Sequence, residues 1–310
     1  MAEQKVQDYE QKATTDTSYI SDQVPKDTWM DMVNTASRAN LVMRPLAARV
    51  DRRLVGSPGD TVKIEERGTL SVNTKAEGGN TSAQQVSDGN ISVTVPTDVK
   101  ETKVEITDEA DEDSRRDEFE AYATEAGEAH AEKRDSEAYS TVTSLTAGGS
   151  DPADSEAFSS NLSTAGEIDY SQSQQLAAQM AQGASSTSGD GFTPSDMVIS
   201  HLHHADLRDE DKFILANQAG TTEGLREGMV GRFAGMDVHV TRQANAPSTT
   251  SGDVQAVLLD RSRAFVEVVK REITTEQDRD VDNGQTLVYD RARYTHQVVE
   301  EHALGYLKNA

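Results

Sequence analysis

Apolar positions along this chain fall into short groups whose spacing predicts most of its elements. Residues 1–24 are polar and aperiodic and read as an extended arm. Trp29, Val33, Ala36 and Met43 follow at near-helical spacing. Thr28 is placed to cap that helix, with Asp31 at the third position and Pro45 to end it. A turn-rich section comes next. Gly56-Ser57-Pro58-Gly59-Asp60, Gly78-Gly79-Asn80 and Asp88-Gly89-Asn90 mark three turns. Between them lie a strand at 61–64 and the alternating Ile91, Val93 and Val95. Little in this hairpin is large and apolar, so it is expected to lie on another surface, such as a second subunit.

Residues 99–107 read as a strand, with Val104 and Ile106 on one face. A single long helix is predicted from Asp108 to about Leu145, because acids crowd its start and no Pro interrupts it. Phe119, Tyr122, Ala126 and Ala129 would form its thin apolar stripe. Residues 147–167 read as an acidic, Ser-rich loop. Asp169 and Gln172 are placed to cap a helix with Leu176, Ala177, Met180 and Ala181 inward, ended by Gly183. A short buried strand at 197–200 precedes a short helix at 201–207.

The stretch 212–240 reads as a polar, glycine-hinged loop feeding the strand Asp237-Val238-His239-Val240. Gly228, Gly231 and Gly235 would let its backbone turn sharply. Strands are then predicted at 254–259, from Ala264 to Ile273, and at 285–299, with a turn at 280–284.

Composition narrows the function. The chain has 310 residues, 35% of them hydrophobic and 5% aromatic, which is a lean supply for a core of this length. Its net charge is -24, and the acids are interleaved with apolar positions, so a folded acidic protein is expected. Such a shell repels itself in dilute buffer. At molar salt the Debye length shrinks to ~3 Å, so this charge suits a high-salt cytoplasm. Disulfides and Cys-metal sites are excluded because the chain has no cysteine. No apolar run approaches the ~20 residues that span a bilayer, so no membrane partner is expected.

Candidate chemistry is sparse. His201-x-His203-His204 lacks an accompanying well-spaced carboxylate and reads as a solvated helix face. Asp278-x-Asp280-x-Asp282-Asn283-Gly284 nearly matches a calcium loop, but its Gly falls one place late and Tyr289 stands where a bidentate Glu is needed. It reads as an acidic turn. Nucleophile elbow, P-loop, dinucleotide fingerprint and zincin motifs are all missing. No catalytic residue, metal or cofactor is therefore assigned, and the chain is not expected to be an enzyme.

Four phrases carry a family resemblance through their order. They are Gly59-Asp60-Thr61-Val62-Lys63-Ile64; Lys103-Val104-Glu105-Ile106-Thr107-Asp108-Glu109-Ala110; Met197-Val198-Ile199-Ser200; and the segment from Glu227 to Val240. Together they resemble the tailed-virus major capsid protein, the Hong Kong 97-type fold, over nearly the whole chain. The resemblance implies an α+β architecture. Residues 1–48 would be the N-terminal arm and short helix, and 49–95 the extended loop hairpin. Residues 96–146 and 260–298 would form the peripheral domain with its spine helix, and 147–255 and 299–310 the axial domain.

The implied function is structural. Hexamers and pentamers of this chain would form an icosahedral virion shell around double-stranded DNA, bound without sequence specificity and assembled in the host cytoplasm. Scaffold, portal, turret and cement proteins are the further partners. The acidity points to a haloarchaeal tailed virus. Candidate inter-subunit contacts are Arg52, Arg53, Lys63, Arg115, Arg116, Gly228, Gly231, Arg232 and Gly235. The paired arginines at 52–53 and 115–116 would meet acids on a neighbour or form local salt bridges, each worth under ~1 kcal/mol. An encapsulin-like compartment is the alternative within the fold, and a halophilic soluble enzyme the alternative outside it.

Overall fold

A computed structural model describes residues 26–66, 74–75, 77–80, 89–108, 116–146, 157–183, 191–209 and 231–309. The chain divides into two compact units, one of residues 1–40, 98–131 and 271–293, the other of the remainder.

The first unit holds helix α1 (Lys26–Asn40), strand β4 (Lys100–Thr107), the first part of helix α2 (Arg116–Thr143), and parts of the long strands β10 (Phe265–Asp280) and β11 (Gln285–Val298). β4 pairs antiparallel with β11, Val104 opposite Val288. Trp29 and Val33 of α1 are buried, as the helical spacing predicted. The helix starts before Thr28, which sits inside it and is no cap. It stops at Asn40, whose amide donates to the Ala36 carbonyl at 3.0 Å. Pro45 lies in a separate turn, Arg44–Leu46.

The core of this unit is anchored by a buried carboxylate. Asp290 accepts from Trp29 Nε1 at 3.0 Å and from Thr275 Oγ1 at 2.6 Å. Both lone acceptors therefore have donors, which makes the burial tolerable.

α2 is 28 residues long, about 42 Å. The expected start at Asp108 abuts 109–115, outside the described residues, as is the Phe119 side chain. The inward stripe differs from the predicted one. Ala123, Ala126, Gly127, His130 and Ala131 face inward, while Tyr122 and Ala129 are exposed. The buried face is built of small and polar residues, so an apolar count placed it wrongly. Gly127 permits a close crossing: a Cβ there would lie 2.5 Å from the Val33 carbonyl and 2.7 Å from Ala36 Cβ.

In the second unit, strand order is β5 (Phe158–Asn161), β12 (Leu304–Lys308), β9 (Val254–Leu259), β6 (Asp196–Ile199), β8 (Met236–Val240) and β7 (Arg232–Phe233). All six β9 residues are buried. Alternate residues serve two cores: Val257 and Leu259 join Met43, Tyr139, Phe265 and Tyr306 on one side. Ala256 and Leu258 join Leu176, Met180 and Leu207 on the other. A sheet covered on both faces has no polar face, which explains the apolar run Ala256–Leu259; the buried Gln255 is the polar exception in β9. β5 lies within the predicted acidic loop; it pairs parallel with β12 through Phe158 opposite Gly305.

Helix α3 (Tyr170–Gln182) and helix α4 (His201–Asp209) carry Leu176, Met180 and Leu207 into the second core. Asp169 caps α3 as predicted, accepting from the Ser171 amide at 3.0 Å. Gln172 does not complete a capping box, and Ala181 is exposed, not inward.

β1 (Arg49–Asp51) runs parallel to β10, Asp51 opposite Val268. β2 (Thr61–Glu66) and β3 (Gly89–Thr94) form the antiparallel hairpin, Val62 opposite Val93. Gly89 and Asn90 lie in β3, not in the expected turn. The hairpin also packs on its own chain: Val62, Ile64, Val93 and Val95 cluster with Leu54, Val266 and Val268.

Candidate inter-subunit surfaces

The hairpin root gathers several of the predicted contact residues. Asp51, at the end of β1, is buried, and the Arg53 amide donates to its Oδ1 at 3.0 Å. The Arg53 guanidinium straddles the same carboxylate, with Nε at 2.9 Å and one terminal nitrogen at 2.6 Å from Oδ2. That nitrogen also donates to the Lys63 carbonyl at 3.2 Å. These Arg53 bonds hold the Asp51 carboxyl below its usual range, against the opposing effect of burial. Arg53 thus makes a local salt bridge and joins β1 to β2. Arg52 and the Lys63 side chain are exposed.

A second group sits at the edge of the six-stranded sheet. β7 and β8 form a tight hairpin through Ala234 and Gly235, with φ of 51° and 89°. Both central residues in the left-handed region make this the turn that best matches strand twist. The sequence pattern predicts a loop feeding one strand, because the short partner Arg232–Phe233 has too few residues to show alternation. The Arg232 side chain is exposed and pairs with Asp237 at 3.0 Å. Space around Gly231 is open, since a Cβ there would meet nothing within 4 Å. Gly228, with the rest of 212–230, lies outside the described residues. So do Arg115 and the Arg116 side chain.

The sequence did not single out a cluster at the end of β6. Buried Asp196 accepts from Ser195 Oγ at 2.5 Å, from His239 Nε2 at 2.7 Å and from Arg261 Nε at 3.2 Å. Burial alone would raise its carboxyl, but these donors outweigh it and hold the carboxyl low. The serine bonds the carboxylate and not the histidine, so no activated nucleophile results. Partners 43 and 65 residues away leave no spacing signal.

The weighed metal motifs resolve into structure. His203 is buried, not solvated; its Nδ1 lies 2.9 Å from Ser200 Oγ, and burial lowers its affinity for a proton. Asp280 accepts from the Asp282 and Asn283 amides at 3.1 and 3.2 Å, closing the acidic turn as read. Among the described residues, no group of three or more His, Asp or Glu side chains could hold a metal ion. None of the described helices is long and apolar enough to cross a membrane.

Solved structures share this architecture at low identity. The chain is similar to the capsid of the cyanophage P-SCSP1u, with a TM-score of 0.65 and 12% identity over 85% of this chain and 87% of that one. The mature capsid of bacteriophage PhiM1 gives 0.65 and 17%, covering 87% of both chains. Mycobacterium phage Che8 gives 0.61 and 20%, covering 83% and 88%. No curated protein sequence matches. A family model described as Phage capsid protein matches residues 90–308. With that match spanning most of the chain and the Hong Kong 97-type fold around it, the chain belongs to the phage capsid protein family.

Proposed function

We propose that this chain is the major subunit of a tailed-virus head, assembling as hexamers and pentamers into an icosahedral shell around double-stranded DNA. The observation that carries this reading is the capsid-family match over 90–308. In this reading 1–48 are the arm and short helix and 49–95 the extended hairpin. Residues 96–146 and 260–298 form the peripheral domain, with 147–255 and 299–310 as the axial domain. Exposed Arg52 and Lys63 at the hairpin root, and Arg232 beside Gly231 and Gly235, are the described contacts offered to neighbouring subunits. Gly228, Arg115, Arg116 and Arg53, whose side chain is exposed beside its bond to Asp51, complete that set.

A net charge of -24 supports a virus of a halophilic archaeal host, assembled in the host cytoplasm. DNA enclosed without base recognition is part of the same reading, with an acidic wall that offers little phosphate neutralisation. Scaffold, portal, turret and cement proteins remain the expected further partners, and the role is structural rather than enzymatic.

Electron microscopy of the purified protein at high salt tests this. Closed shells are expected. A monomer or small oligomer at every concentration would overturn the reading in favour of a soluble enzyme. Small shells that never contain nucleic acid would favour an encapsulin-like compartment.

A further inference from the structure

We propose that the root of the β2–β3 hairpin is a fixed joint, stapled by Lys270 and Arg53, so that the folded chain itself sets the hairpin's direction. The use of that direction in a shell rests on the capsid reading above; the joint does not.

The turn at 56–60 joins the end of β1 to β2 and contains two residues at positive φ, Gly56 and Gly59. A turn with that composition reads as a swivel. The contacts around it oppose swivelling. Lys270 of β10 donates its ammonium group to the Ser57 carbonyl and, at 2.9 Å, to the Gly59 carbonyl. Two carbonyls of one turn are thus fixed to a strand in the body of the second unit. Charged donors make shorter and stronger bonds than neutral ones. The chain carries 54 acids against 30 lysines and arginines, yet this ammonium is engaged by backbone oxygens.

Arg53 supplies the second staple. It grips buried Asp51 and reaches the Lys63 carbonyl at 3.2 Å, so the last residue of β1 and the third of β2 cannot separate independently. The returning strand is tied as well, because the Val95 amide donates to the Asp60 carbonyl at 2.8 Å. Beneath these polar ties, Val62, Ile64, Val93 and Val95 are buried against Val266 and Val268. Any rotation about the turn would break the staples and expose that cluster together.

Because the chain has no cysteine, paired labels can be placed cleanly. Asn90→Cys on β3, opposite Glu65 and beyond the stapled Lys63, and Arg242→Cys beyond β8 are both exposed and outside the joint. Spin labels at these sites, in the full-length unassembled chain, report the spread of hairpin positions by pulsed electron resonance. A single narrow distance distribution is expected, widening roughly twofold in Lys270→Met and further when Arg53→Met is added. Lys270→Arg, which keeps a charged donor, should restore most of the narrowness. A wild-type distribution already as wide as that of the substituted chains would overturn the proposal, as would a Lys270→Met distribution as narrow as wild type. A broad or multimodal wild-type distribution overturns the proposal by itself even if a variant fails to fold, and the Lys270→Arg chain then serves as the folded comparison. Narrow distances without shells would sink the capsid reading alone; shells with broad distances would sink the joint alone.

Discussion

Arg134 and Glu267 form an ion pair almost wholly out of water: Nε lies 3.0 Å from Oε1, with side-chain exposures of 3% and 0%. The other Glu267 oxygen lies 2.9 Å from Arg44 Nε. Arg134 also stacks 4.3 Å above the Tyr294 ring. One buried carboxylate therefore balances two arginines, and α2 is tied to β10 by charge in addition to apolar packing.

Replacing Glu267 with Gln removes the buried carboxylate charge that faces both arginines. The loss in unfolding free energy should be about 3–5 kcal/mol, read from urea denaturation. An Arg134→Met/Glu267→Leu pair should cost much less than the two single changes summed. Additive losses would mean that the two side chains do not interact.

Gly127→Ala should destabilise the fold by about 1–3 kcal/mol, because the new methyl meets the Val33 carbonyl and Ala36. Helix propensity alone predicts a gain of about 1 kcal/mol for the same change. Thermal melting decides between the signs, with the exposed helical position Ala121→Gly as the propensity control.

Acid should weaken the second unit through Asp51 and Asp196. Both folded carboxyls lie below their ordinary value of 3.8. A depressed folded value means that the stabilisation is complete above the unfolded value and is lost as pH falls through the folded one. An Asp51→Asn/Asp196→Asn chain should be less stable than wild type at neutral pH, and the gap should close below pH 3.8. Asp135, raised by burial despite the bonds from the Val42 and Met43 amides, acts in the opposite direction. For that reason the difference between the two chains is the quantity to follow. A gap unchanged into acid would refute the assignment.

Ala234 holds a φ of 51° in the β7–β8 turn, where a side chain other than that of Asn or Asp is strained and Gly is not. Ala234→Asn should therefore stabilise by about 0.5–1 kcal/mol, and Gly235→Val should destabilise by at least about 1 kcal/mol. Chemical denaturation of both variants, read side by side, checks the opposite signs.

Lowering salt should dissociate assembled particles, because a chain of net charge -24 repels its neighbours once screening is removed. The Debye length grows from ~3 Å at 1 M to ~30 Å at 0.01 M. Light scattering during dialysis follows the change; shells that stay intact in dilute buffer would contradict the halophilic reading.

Legibility followed the source of the signal. Trp29 and Val33, β9, the alternating Ile91 to Val95 and the Asp280 turn were all readable, since each rests on spacing within a few residues. The inward face of α2 was not. Its Ala, Gly, His, Arg and Asp residues look polar or neutral until Glu267 and Asp290 are brought near. β5 was missed because Phe158–Asn161 has one apolar side chain, and its strand character comes from pairing with β12. Among the candidate contacts, Arg53 proved locally engaged because its partner Asp51 is two residues away, a pairing open to inspection in the chain itself.

The sequence by itself determined the order of the longer elements, the acidic surface and the capsid-family resemblance, because periodicity, charge and motif order are properties of the chain. Tertiary structure alone decided which polar groups are buried and what satisfies them. Asp196 meets His239 and Arg261, Asp290 meets Trp29 and Thr275, and Lys270 meets the turn at 57–59 across more than two hundred residues. A buried charge is tolerated only where folding supplies its partner. No local pattern can announce a partner that the chain reaches only after it has closed on itself.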